Sequence, residues 1–146
     1  MWEQIVLDDH RKRDDTLKDD TDGMYFKEQP FFTDHPSALR LHFYEDEVVL
    51  VNPIGPKRTK YKICAFYYTV GNIGGKYCSN LSRIHLALLV GLETALQPLL
   101  DDLKKLSTEG FTVIHDDVEH TMHAALATIP CDNLSAHVIG RFSVFQ

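Results

Sequence analysis

Over residues 38–50 the chain alternates, with Leu39, Leu41 and Phe43 on one side and Arg40, His42, Tyr44 and Asp46 on the other, before Val48-Val49-Leu50-Val51 closes the run. A period of two is the pattern of a strand with one face on a core, so this segment predicts a long first strand. Asn52-Pro53-Ile54-Gly55-Pro56 is turn chemistry, and residues 63–70 are rich in β-branched and aromatic side chains. The two segments are therefore expected to form a long antiparallel hairpin. Gly71, Asn72, Gly74 and Gly75 break the second strand, and residues 82–90 read as a third, giving a three-stranded antiparallel meander.

The period then changes. Leu92, Ala95, Leu96, Leu99, Leu100, Leu103 and Leu106 recur at three and four, the spacing of one helix face. Pro98 inside this pattern predicts either a kink or a first helical turn, with the helix running to Leu106 and Gly110 just past its end. Residues 111–114 and 124–129 are apolar runs of strand length, and residues 133–141 are expected to open a second helix. The expected order β-β-β-α-β-α makes this a mixed α/β domain.

At 146 residues, 44% of them hydrophobic, the chain has apolar mass for one core and no second domain. Residues 1–22 are dominated by acids, with Leu17 the lone apolar residue after Leu7, and are expected to be an acidic linker or tail. The ordered domain is expected over residues 23–146. Its first part, punctuated at Gln29-Pro30 and His35-Pro36, carries Met24, Tyr25, Phe26, Phe31 and Phe32 as a short helical or irregular segment held on the core. The apolar runs fall short of the roughly 20 residues a membrane-spanning helix needs, and the amino end lacks the basic start of a signal peptide. An intracellular protein, nuclear or cytoplasmic, without a membrane partner is expected. Cys64, Cys78 and Cys131 are widely spaced and fit reduced thiols better than a disulfide framework or a zinc site. Fifteen basic against twenty-one acidic side chains, a net charge of −6, exclude a protein that coats nucleic acid through its whole surface.

Tyr44-Glu45-Asp46-Glu47 places three consecutive carboxylates near the end of the first strand. Taken alone, this is most simply a charged strand end in water. A second acid, Asp132, follows the apolar run 124–129 at the end of an expected buried strand. Acids at the ends of neighbouring strands can hold two metal ions about 3.5 to 4 Å apart.

Four separated blocks carry a resemblance: Leu39-Arg40-Leu41-His42-Phe43-Tyr44-Glu45-Asp46-Glu47; Asn52-Pro53-Ile54-Gly55-Pro56-Lys57-Arg58; Ser82-Arg83-Ile84-His85-Leu86-Ala87-Leu88-Leu89; and Cys131-Asp132-Asn133-Leu134-Ser135-Ala136-His137 with Gly140 and Phe142. Together they resemble the transposase domain of animal DNA transposons of the DDE type, over residues 24–142. The resemblance implies a ribonuclease H-like fold with a mixed sheet, and a fourth strand ending at Asp132 that lies beside strand one. It implies catalytic, metal-binding roles for Asp46 and Asp132, a pocket shaped by Asn133 and His137, and weak binding of Mg2+ or Mn2+. In that family a third acid lies on a helix well beyond the Asp132 block, further than the fourteen residues from Asp132 to Gln146 reach. The expectation is a truncated, catalytically incomplete domain that no longer cuts DNA.

Lys57, Arg58, Lys60 and Lys62 form a basic stretch near Tyr61, Tyr67 and Tyr68, of the kind that meets a phosphate backbone, or else a solvated hairpin turn. DNA binding through it is expected to be weak and salt-sensitive. His115, His120 and His123 read as surface-loop residues rather than zinc ligands, although the last two are three apart as on a helix face. Gly71-Asn72-Ile73-Gly74-Gly75-Lys76 reads as a hairpin connection rather than a phosphate loop, and Ser135 and His137 point to different helix faces. A second class of function remains open, a non-enzymatic module that captures a protein partner through the acidic tail and an uncompleted sheet edge.

Overall fold

The computed structural model of the chain describes residues 20–49, 62–73, 80–91 and 96–130. Its elements are helices α1 (Met24–Glu28), α2 (Pro30–Asp34) and α3 (Gln97–Thr108), and strands β1 (Leu39–Val49), β2 (Lys62–Val70), β3 (His85–Gly91), β4 (Phe111–His115), β5 (Val118–Met122) and β6 (Ala124–Thr128). Four strands form one mixed sheet in the order β3-β2-β1-β6, and β4 and β5 form a separate two-stranded hairpin. The fold is mixed α/β and strand-rich.

The meander is present, with β1 antiparallel to β2 and β2 antiparallel to β3. Alternation dictates which residues enter the core. Leu41 and Phe43 are buried on one face with Phe66 of β2 and Ala124 of β6, and Leu39, Cys64, Tyr68 and Val70 pack around them. Helix α3 lays Leu99, Leu100, Leu103 and Leu106 on this face. Pro98 stands in its first turn, where the missing donor costs nothing, so the proline starts the helix rather than kinking it. Gly110 ends it at φ +74°, and a side chain there would collide with the Met122 carbonyl. The helix thus carries the chain over one face and lets β6 return parallel to β1, with Leu39 opposite Ala124 and Leu41 opposite Leu126.

The opposite face of β1 begins with Arg40, which is buried rather than solvated. Helices α1 and α2 cover it: the Arg40 guanidinium lies 5.8 Å from the Phe26 ring, Phe26 stacks on Phe32 at 4.6 Å, and Phe31 meets Phe32 edge-on at 5.1 Å. Arg40 Nη2 donates to the Gly71 carbonyl at 2.6 Å. Asn72 does the work of an extra strand residue. Its Oδ1 accepts from the Arg40 backbone N–H at 2.7 Å and its Nδ2 donates to the Ala38 carbonyl at 3.1 Å.

Several expectations need correction. Leu81–Arg83 is a 3-10 turn, nucleated by Asn80 accepting from the Ser82 N–H at 3.2 Å, so the third strand starts at His85 rather than at residue 82. Residues 118–122 form a strand that was not expected, because Val118-Glu119-His120-Thr121 is exposed throughout and has no core face to impose an alternation. His120 therefore lies on a strand and not on a helix. The strand beside β1 ends at Thr128, four residues short of Asp132. At the amino end of the described residues Asp20–Asp22 form a 3-10 turn with Thr21 buried. The expected helix over residues 133–141 and most of the acidic tail lie outside the described residues.

Candidate functional site: the polar face of β1 beside β6

Asp46 sits on β1 with its carboxylate exposed, on the face away from the α3 core. Its Cα partner on β2 is Ala65, which is fully buried. One pair back stand Tyr44, 44% exposed, and its partner Tyr67, and one further back His42 faces Thr69, which is buried. Glu45 alternates to the other side, level with Phe66, and is partly buried. Asp46 is thus the acid of the described part of this cluster that β1 presents on its polar face.

A side-chain hydrogen bond ties the polar face to the neighbouring strand. His42 Nδ1 and the Thr128 hydroxyl share a hydrogen bond of 2.7 Å across the β1–β6 pair. The imidazole is seated over Gly71, where an added Cβ would run into its Nε2 and Cδ2. The pairing is irregular at this place. Leu41 is opposite Leu126, but His42 is opposite Thr128, so β6 carries one extra residue, Ala127. The inward pattern changes with it, since Ala124, Leu126 and then Ile129 belong to the α3 core.

Of the residues expected from sequence to form the site, Asp46 is the one whose side chain is described. Asp132, Asn133 and His137, and the basic residues Lys57, Arg58 and Lys60, lie outside the described residues. Lys62 opens β2, with Val49 as its Cα partner, at the same end of the hairpin as Asp46. The histidines do not converge. His115 lies 3.4 Å from Asp116 at the hairpin tip, His120 is on β5, and His123 stacks on His35 with ring centroids 4.3 Å apart. Among the described residues no three His, Cys, Asp or Glu side chains are grouped to hold a metal ion. No described helix is long and apolar enough to cross a membrane.

A separate open cleft of about 470 Å³ lies on the other face, between α3 and the sheet. Leu41, Phe43, Tyr68, Leu99 and Leu103 line it, with Asp102 at its polar margin. Its walls are core-type side chains with one carboxylate, which suits packing more than chemistry.

Sequence reasoning did not single out His42, Thr128 or Asn72 as contributors here. For His42 a signal existed, because the alternation places it on the same face as Asp46. For Thr128 none existed, because its orientation depends on the irregular pairing. No protein-family model, no curated protein and no solved structure matches the chain, so the functional reading rests on the four sequence blocks and on this geometry.

Proposed function

We propose that the chain is a transposase-derived, ribonuclease H-like domain in which Asp46 and Asp132 hold a divalent cation, Mg2+ or Mn2+, at the edge shared by β1 and β6. The observation that carries this reading is the parallel seating of β6 directly beside β1. The strand that bears one acid is the neighbour of the strand that leads to the other, and the helix between them crosses a single sheet face. The donor chemistry suits the ion, since carboxylate oxygens are the hard ligands that magnesium and manganese take. When bound, such an ion polarises a phosphoryl oxygen and orients a nucleophile in phosphodiester chemistry. The residues of this chain would supply its seat: Asp46 on β1, with Asn133 and His137 shaping the pocket around Asp132. The proposed role is cation-assisted binding of nucleic acid at this site. Lys57, Arg58, Lys60 and Lys62 would provide the weak, salt-sensitive phosphate contacts.

Thermal unfolding with and without cation tests this reading. For a millimolar site at tenfold excess of Mn2+, binding to the folded state alone stabilises by about 1.4 kcal/mol, or roughly 3 to 6 °C in Tm. Asp46→Asn and Asp132→Asn are each expected to erase that shift. An equal shift in wild type and both variants would remove the site.

A second reading is favoured by one feature. Among the described strands β3 is at an edge of the sheet, and its Leu86 and Leu89, opposite Tyr67 and Ala65 of β2, are more than half exposed. An apolar edge of this kind is a template for a partner strand. Loss of partner capture on Leu86→Lys, with the Mn2+ response intact, would separate the two readings.

A further inference from the structure

We propose that the open cleft between α3 and the sheet is a binding site for a small cationic amphiphile, an aliphatic amine whose chain fills the apolar interior and whose ammonium group meets Asp102 at the mouth. The cleft lies on the sheet face opposite Asp46, so this inference is independent of the cation reading.

Three observations carry it. The first is how α3 sits. Leu99, Leu100, Leu103 and Leu106 form its apolar stripe, yet each is only partly buried, and none of the helix's twelve residues is fully covered. The sheet residues beneath the cleft, Leu41, Phe43 and Ala124, are buried. The helix thus covers its floor and still leaves a gap of about 470 Å³, within the range of about 300 to 1,000 Å³ that small-ligand pockets occupy.

The second observation is the lining. Apart from Tyr68 and Asp102, every side chain that faces the cleft is an aliphatic group or a phenyl ring. Such walls make no directed bonds, so they accept an alkyl chain, whose transfer from water is the driving force.

The third is the state of the two polar groups. Among the described residues neither the Asp102 carboxylate nor the Tyr68 hydroxyl has a hydrogen-bond or ion-pair partner, whereas the adjacent Asp101 carboxylate accepts from Gln97 Nε2 at 2.9 Å. Carboxylate and phenol oxygens both accept from an ammonium, and the one charge that lines the cleft is negative. A cationic head therefore complements the mouth, while the carboxylate of a fatty acid would bring like charges together there.

Isothermal titration of the full 146-residue protein with alkylamines below their micellar concentrations tests the proposal. Decylamine is expected to bind one to one, about tenfold more tightly than octylamine, as the burial of two more methylenes dictates. It should also bind roughly fivefold more tightly than decanoate, which has the same apolar body and the opposite charge. Asp102→Asn should abolish that preference for the amine, and Asp101→Asn, which removes the same charge one residue away, should leave most of it. Ala87→Phe places a ring in the cleft and should weaken decylamine at least about tenfold, with circular dichroism confirming that the variant is folded. Should Ala87→Phe fail to fold, the two aspartate variants decide the question. The proposal is overturned by an absence of saturable decylamine binding, by equal affinity for decylamine and octylamine or for decylamine and decanoate, by a preference that Asp101→Asn lowers as much as Asp102→Asn, or by unchanged binding in a folded Ala87→Phe.

Discussion

Replacing Asn72 with alanine tests the account of the buried end of β1. In the native protein the Asn72 amide satisfies two backbone groups at once, the Arg40 N–H at 2.7 Å and the Ala38 carbonyl at 3.1 Å. Ala38, Arg40 and Asn72 are all buried, so neither group gains free access to solvent when the amide is removed. Each orphaned group costs about 1 to 3 kcal/mol. Allowing one of them partial relief from water entering the truncated space, the expected loss is about 2 to 4 kcal/mol. Urea unfolding followed by circular dichroism measures it. With a slope of roughly 1.5 kcal/mol/M for a domain of this size, the midpoint should fall by about 1.5 to 2.5 M at an unchanged slope. A midpoint within about 0.5 M of wild type for Asn72→Ala would refute the reasoning, because two unsatisfied buried groups cannot be that cheap.

Three further outcomes are expected. Asp116 and Asp117 both hold positive φ, 51° and 60°, in the two-residue turn between β4 and β5, a geometry that favours Gly at the second position. Asp117→Gly should raise Tm by about 2 to 4 °C, and a fall in Tm would contradict the turn assignment. Lys57→Ala combined with Arg58→Ala should weaken DNA retention and reduce the slope of log affinity against log salt by about 2 units; unchanged retention would detach the basic stretch from nucleic acid. Incubation of the 146-residue protein with plasmid DNA and Mg2+ or Mn2+ should produce no nicking above background, and nicking abolished by Asp46→Asn would show that two acids suffice.

How far the sequence could be read depended on whether a residue's partner lies in its own periodic pattern or elsewhere in the chain. The alternation through Leu39, Leu41 and Phe43 was enough for β1, because a single buried face imposes a period of two. The leucine stripe of α3 was equally legible, and Pro98 settled into the first turn that its missing N–H favours. Arg40 reads as a solvent-facing strand residue yet is buried, since the aromatic helices that cover it come from residues 24–34 and the carbonyl it binds comes from Gly71. The polar strand β5 left no pattern because both its faces meet water for most of its length. For the candidate site, the acid on β1 and the apolar run leading to the second acid were both visible. The extra residue at Ala127 was not, because a bulge is a property of the pair of strands and leaves the composition of either one ordinary.

The central claim, a cation seated at the β1–β6 edge, is tested most directly by paramagnetic broadening of amide resonances on titration with Mn2+. The account predicts that broadening begins at Asp46 and extends to its pair partner Ala65 and to Thr128, while the acids of the β4–β5 turn, Asp116 and Asp117, keep their line widths until far higher concentrations. Broadening that begins at Asp116 and Asp117, or that touches all exposed acids together, would contradict it.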